Sequence, residues 1–500
     1  MFMKTVKPNS SRKDRRLVPR GAAPRRDKSP RGNRAVPFIC LIGAFWAAGT
    51  LLVGGAARNL TAQEVGAGQH GAAAEAAQIE MLEGLQTESE VAGVIPLGIN
   101  EAYWNRFIPE DARPTGNDAV DAARIALGKK LYFEPKLSID GTVSCATCHD
   151  VTRGFGDARP TSEGVDKDGA KQFGTRNAPT TMNVATYHFM FWDGRSPSVE
   201  HQAMQPIVNP VEMGMPIDEA TIIAGIKDDP EYQRLFREAY GAEVNYKNAG
   251  DAIAAFERTL IFLDNPFFKY LRTGEFNDGF GPYELAGWNL FNREGRCAAC
   301  HQMNPTNLLG TDNKFHNIGV AALHQNFESM AAEALKRLNE DSSDAALDEM
   351  ALTTDLGELG RFVVTKNPAD IGTFRTPMLL NVGITGPYMH DGSIATLWDV
   401  IDHYNKGGEA NRYLDGGIEP LNLTDEQVSQ LVAFLFSLTD SRFACQNKAE
   451  FQKQQAAAAQ SRSHRNPALA ERKTLTFEAY KAAPGNAEAH NEQSQKGGAE

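Results

Sequence analysis

The sequence predicts a mainly α-helical body of two similar domains packed together. Three observations predict it. The pattern CxxCH occurs twice, in SCATCHD (Cys145, Cys148, His149) and in RCAACHQ (Cys297, Cys300, His301). Each copy follows a similar segment, LGKKLYF (Leu127–Phe133) and AGWNLFN (Ala286–Asn292), in which Gly128 matches Gly287 and Leu131 matches Leu290. Each half then closes on a second apolar stripe with helical spacing. Helix, loop and closing helix, occurring twice in 500 residues, make two domains.

The segments follow in chain order. Residues 1–34 hold 12 Lys and Arg against 2 acidic residues, which leaves 39 against 61 in the remainder. The apolar run AVPFICLIGAFWAAGTLLVGGAA (Ala35–Ala57) follows this basic head at once. A basic flank, an apolar run and a small-residue exit describe an export signal or a membrane anchor. The run of 23 residues is long enough to span a bilayer. No clean A-x-A site follows it, and PFIC lacks the residues expected before a lipidated cysteine. Two outcomes therefore stay open: a soluble periplasmic protein after signal cleavage, or one anchored to the inner membrane by residues 35–57. Residues 58–95 read as a flexible linker and residues 446–500 as a disordered tail, since both are rich in small and polar residues. The first domain is expected at 96–270 and the second at 271–445.

In the first domain Val120, Ala123, Leu127 and Leu131 fall 3, 4 and 4 residues apart, on one helical face. DAIAAFERTLIFLD (Asp251–Asp264) places Ala252, Phe256, Leu260 and Leu263 on one face. In the second domain LTDEQVSQLVAFLFSLTD (Leu423–Asp440) does the same with Val428, Leu431, Leu435 and Leu438. Thr424 and Gln427 there form a capping box. These stripes are core packing.

Two cysteines two residues apart can form a redox pair, ligate zinc or bind haem. Zinc would take a second CxxC or a His pair nearby, and neither is present. Only haem requires the adjacent histidine: the thiols add to the two vinyl groups and the imidazole ligates iron. Two such motifs imply two covalently bound c-type haems, attached outside the cytoplasm. The remaining cysteines are Cys40, inside the apolar run, and Cys445, at the head of the polar tail. No structural disulfide is expected. Beyond residue 34 the 39 basic and 61 acidic residues leave a net charge of −22, so no nucleic-acid partner is expected for the body of the chain.

Four further motifs lie in order around the CxxCH pair: RNAPTTMNVA (Arg176–Ala185), FWDGR (Phe191–Arg195), NPVEMG (Asn209–Gly214) and TGPYMHDGSIATL (Thr385–Leu397). With them the chain resembles the bacterial dihaem cytochrome c peroxidase superfamily, which includes MauG, over nearly all of 100–440. The resemblance implies that His149 is the proximal ligand of a peroxidatic haem. It places the family's catalytic glutamate at Glu212 and its distal neighbours at Gln202 and Pro206. Outside such a motif a loop glutamate is a solvated charge. Splitting peroxide, however, needs a group that moves a proton between its oxygens, which a positioned carboxylate can do. Conventional members carry a distal histidine where this chain has Gly169, and no histidine occurs between His149 and His188. The first iron is therefore expected to be open or water-occupied in every redox state.

The second haem takes His301. Conventional members close its far side with methionine, and MauG-type members with tyrosine; here the position falls on Tyr404. The alternatives are a packed Tyr404 with Met389, His390 or His403 as ligand. Trp192 matches a tryptophan between the haems that can relay electrons, or it is a buried aromatic. Asn177 through its side chain, and Thr385 and Pro387 through their carbonyls, match a calcium site, whose hard cation suits oxygen donors. Leu380 stands where the family has arginine, so any ion pair made there is lost. His316 reads as structural.

The resemblance implies a haem-dependent oxidoreductase acting on hydrogen peroxide. In one reading a small redox protein supplies electrons through the second haem. In a second, MauG-like reading, oxidising equivalents shared by the two haems are withdrawn from residues of a partner protein. A third is a non-catalytic dihaem electron carrier, which Glu212 and the open first site oppose. A homodimer is compatible with each.

Overall fold

The computed structural model describes residues 72–89, 115–303, 309–322 and 326–465. The basic head and the apolar run lie outside them. No helix among the described residues is long and apolar enough to cross a membrane. The described part is mainly helical. In the first half α1 spans Ala72–Ser89, α2 Asp118–Tyr132, α3 Val199–Val208, α4 Pro230–Tyr240 and α5 Tyr246–Glu257. In the second half α6 spans Pro282–Asn292, α7 Phe327–Glu340, α8 Asp344–Thr353, α9 Leu397–Asn405, α10 Asp425–Phe436 and α11 Ala444–Arg465. Two small antiparallel pairs complete it, β1 (Glu163–Lys167) with β2 (Ala170–Phe173), and β3 (Phe315–His316) with β4 (Phe374–Arg375).

Helix α2 starts where Asn117 accepts a hydrogen bond from Ala119 N, with Asp118 and Asp121 in its first turn and Lys129 and Lys130 in its last. Those signs complement the helix dipole. Its apolar face, Leu127 and Leu131, is fully buried against α4 and α5 with Tyr232 and Phe236. The repeated glycines explain the pairing. A Cβ on Gly128 would fall 1.8 Å from Ala252 O, and one on Gly287 would fall 2.0 Å from Gln430 O. Both crossings, α2 on α5 and α6 on α10, bring backbone against backbone, which only glycine permits. Phe256 and Phe434 stand beside the two crossings in the same way. The capping box at α10 is present, with Gln427 N donating to Thr424 Oγ1 at 3.3 Å and Thr424 N to Gln427 Oε1 at 2.9 Å.

The expected helix over Asp251–Asp264 stops at Glu257. Beyond it the backbone is claimed by neighbours: Phe262 N donates to Asn183 Oδ1, and Phe262 O accepts from both Asn183 Nδ2 and Asn381 Nδ2, each at 3.1 Å. Contacts also cross residue 270. Asp348 on α8 pairs with Arg195 at 2.5 Å, and Glu358 with Arg176 at 2.7 Å, so this part of the second half packs on the first.

Three expectations are corrected. The linker at 58–95 contains α1, whose Leu82 and Leu85 are buried and whose Gln78 holds the first CxxCH turn through Val151 N and Ala146 O. The tail at 446–500 begins as α11, with Phe451, Gln454 and Ala458 buried. Both segments are rich in Ala, Glu and Gln, the composition of strong helix formers as well as of unfolded chains. A few apolar residues at helical spacing decide between the two by docking. The reading of Cys445 as the head of a polar tail also fails: it sits in the first turn of α11. Cys40 lies outside the described residues.

Candidate active site

The first CxxCH is one helical turn, Cys145–Cys148, closed by Ser144 N donating to Thr147 Oγ1 at 3.0 Å. The turn ends at His149, whose Nδ1 lies 3.3 Å from Phe155 O. A carbonyl only accepts, so Nδ1 carries the proton and Nε2 is left as the ligand atom. Burial holds this imidazole below its usual pKa, hence neutral. In the second motif a 3₁₀ turn, Cys297–Ala299, places His301 so that Nδ1 donates to Gly310 O at 2.9 Å, and burial again keeps it neutral.

Each histidine opens onto its own cavity. The first, of about 120 Å³, is lined by His149, Cys145, Cys148, Gln202, Pro206, Glu212 and Trp192 among others. His149 is the only histidine among the described residues lining it. Gly169 does not face it. That residue sits exposed at the tip of the β1–β2 hairpin, in a two-residue Asp168-Gly169 turn with both φ positive. The hairpin instead holds the loop that carries Glu212, through Val165 N to Glu212 O at 2.8 Å. A Cβ on Gly164 would fall 2.1 Å from Val211 O, so the approach requires glycine.

Gln202 and Pro206 are four residues apart on α3 and share its cavity face. The Glu212 carboxyl is pushed up to about 7, first by burial and then by the Asp348 carboxylate, against the opposing Arg195 charge. A carboxyl with this pKa can take and return a proton at neutral pH.

The second cavity, of about 220 Å³, is lined by His301, Cys297, Cys300, Tyr404, Met389 and His390. Tyr404 extends from α9, and burial pushes its phenol pKa up. Of the rival ligands, His403 does not line the cavity, and its Nε2 donates to Ile318 O at 2.8 Å. His390 stacks on Phe374 at 3.8 Å, and its Nε2 is engaged by Glu358 at 2.9 Å. Trp192, Tyr187, Asn177 and Arg375 line both cavities. The Trp192 indole is oriented by its Nε1 donating to Asn177 O at 2.9 Å. Asn177, Thr385 and Pro387 all line the second cavity. Asn177 Nδ2 donates to Arg159 O, which leaves Oδ1 as its ligand end. His316 also lines this cavity and is clamped between Asp312 and Asp415 at 3.0 and 2.7 Å.

Both cavities fit haem. Each pairs two cysteines with an imidazole prepared for iron. Three buried guanidinium nitrogens, Arg176 Nη2, Arg195 Nη2 and Arg375 Nη1, have no protein partner among the described residues and belong to side chains lining these cavities. Unpartnered buried donors of this kind suit the propionate carboxylates. Leu380 lies buried in the core. Arg375, five residues earlier, faces both cavities where the missing arginine was in question.

One signal in the sequence was missed. From Pro179 to Pro206 and from Pro377 to Tyr404 the chain repeats itself in register, with a constant offset of 198. Asn183 and Asn381 are both left-handed, as are Phe191 and Met389. Ser198 caps α3 and Thr396 caps α9. Eight residues after each cap come Pro206 and Tyr404. The two occupy equivalent places above equivalent haem cavities. Proline offers iron no ligand atom, whereas tyrosine does.

Comparison with known proteins agrees. A model of the di-haem cytochrome c peroxidase family matches residues 122–275. MauG of Methylorubrum extorquens is 33% identical over 336 residues, covering 66% of this chain and 82% of that protein. The cytochrome c551 peroxidase of Pseudomonas aeruginosa is 33% identical over 335 residues, covering 66% and 83%. The crystal structure of a MauG-like protein associated with microbial copper homeostasis superimposes with a TM-score of 0.53 at 28% identity, covering 70% of this chain and 94% of that one. The chain belongs to the di-haem cytochrome c peroxidase family and is a haem-dependent oxidoreductase that uses peroxide.

Proposed function

We propose that hydrogen peroxide is reduced in the first cavity, with electrons from a small external redox protein passing through the second haem. The observation that carries this reading is Glu212, a carboxyl poised near neutrality on the wall of a cavity whose only lining histidine among the described residues is His149. When bound, haem supplies the iron at which the peroxide O–O bond takes up two electrons. Glu212 takes the proton from the inner oxygen of peroxide and returns it to the outer one, which leaves as water. Gln202 and Pro206 shape the space above it and limit it to a small substrate. His149 and His301 would hold the two irons and Tyr404 would be the further ligand of the second, while Trp192 lines both cavities. Asn177 Oδ1 and the Thr385 and Pro387 carbonyls would hold calcium, and Asn177, whose backbone carbonyl orients the Trp192 indole, would link that site to Trp192. Two cytochrome c-type units divide near residue 270, and covalent haem attachment places the enzyme in the periplasm.

The MauG-like reading, oxidation of a partner protein, is favoured by two particulars: Tyr404 in the second cavity and a hairpin where a distal histidine would stand. Electron paramagnetic resonance of the oxidised protein tests the site common to both. One high-spin and one low-spin ferric signal are expected, and two low-spin signals would refute an open first site.

The pH dependence is set by the charges around Glu212. The carboxylate is the base, so kcat/KM rises with pH through about 7. Asp348 raises the Glu212 pKa and also offsets Arg195, which lowers it. Asp348→Asn removes the first effect and unmasks the second, and both act downward. The acid limb of the profile is expected to move to lower pH. An unmoved limb would show that another group titrates.

A further inference from the structure

We infer that the C-terminal helix α11 sets the position of the axial helix α9, and that Gln454 is the positioning residue for Tyr404. This rests on the reading of Tyr404 as ligand of the second haem. Gln454 is buried. Its Oε1 accepts from Leu397 N at 2.9 Å, and its Nε2 donates to Tyr388 OH at 2.8 Å and to Gly383 O at 3.4 Å. Leu397 is the first residue of α9, and its N–H is one of the four at a helix start that have no partner within the helix. Thr396 caps Asp399 N, so Gln454 satisfies a different donor of the same turn. Tyr388 lies on the loop between Pro387 and Met389, beside the second cavity.

One side chain from outside the haem-binding core thus ties together the start of the ligand helix and the loop beside it. Packing works in the same direction. Phe451, one turn before Gln454 on α11, meets Trp398 on α9 at 5.5 Å and Phe436 on α10 at 5.0 Å, both edge-on. The arrangement acts as a brace supplied by a segment whose composition alone suggests disorder.

Gln454→Met keeps the side-chain length and removes its hydrogen bonds to Leu397 N, Tyr388 OH and Gly383 O. It leaves Leu397 N and the Tyr388 hydroxyl buried without this partner. An unmade buried hydrogen bond is expected to weaken axial ligation on the order of tenfold. The readout is the ferric resonance spectrum of the holoprotein. A high-spin fraction should appear at the second haem, with the first-haem signal unchanged. If the variant shows only a lower unfolding temperature and a wild-type second-haem signal, the residue is merely structural and the inference fails. Tyr404→Phe is the control. If it too leaves the second-haem signal unchanged, the ligand reading is overturned and this inference with it. If Tyr404→Phe alone alters the signal, only the positioning role is lost. Amide exchange on the unsubstituted protein covers a Gln454 variant that does not fold. Leu397 N–H should be as protected as the core of α10, and exchange at the rate of an exposed loop would overturn the brace.

Discussion

Glu212→Gln slows peroxide reduction by about 10²–10⁴-fold, the range for loss of a general acid–base group. The amide keeps the size of the carboxyl and its place beside the β1–β2 hairpin, because the contact with Val165 N is made by the Glu212 backbone. Both haems should remain attached, and the oxidised spectra should match wild type. The rise of activity with pH through about 7 should also vanish, since an amide does not titrate there. Rapid mixing with peroxide across pH 5–9 measures both effects. A wild-type rate in the variant would remove Glu212 from the mechanism. A lower rate with the same pH limb would leave it a steric role only.

Tyr404→Met is expected to raise the reduction potential of the second haem. Phenolate is a hard anionic donor that stabilises ferric iron, whereas thioether favours the ferrous state. Reducing one peroxide takes two electrons. If Tyr404 ligates the second haem, as proposed, that electron-rich iron would make one of them available in the fully oxidised enzyme, by way of Trp192, which lines both cavities. Methionine ligation withholds that electron, so the variant should act on peroxide only after reduction by one electron. Potentiometric titration and stopped-flow mixing of oxidised and half-reduced protein decide it. An unchanged potential would show that Tyr404 is packing, and Met389 would become the ligand to test. An oxidised variant that still consumes peroxide at the wild-type rate would favour the simpler peroxidase over the MauG-like cycle.

Much of this protein is legible in its residues alone. The CxxCH spacing by itself demands two covalent haems, because no other chemistry of that pair needs His149 and His301 next in line. Helical periodicity marks α2 and α10, and the Thr424–Gln427 box locates the start of α10, since these signals act within one or two turns. Even the pairing of Pro206 with Tyr404 is written in a constant offset. What lies outside such local reach was decided by tertiary structure. Helix α5 ends at Glu257 because Asn183 and Asn381, distant in sequence, take the polar groups of Phe262. The Glu212 pKa depends on Asp348, which arrives from a helix over a hundred residues away. The order of α1 and α11 depends on docking: Ala- and Gln-rich segments are helical or unfolded according to whether a few residues such as Leu82, Phe451 and Gln454 find a surface that repays the entropy of ordering them.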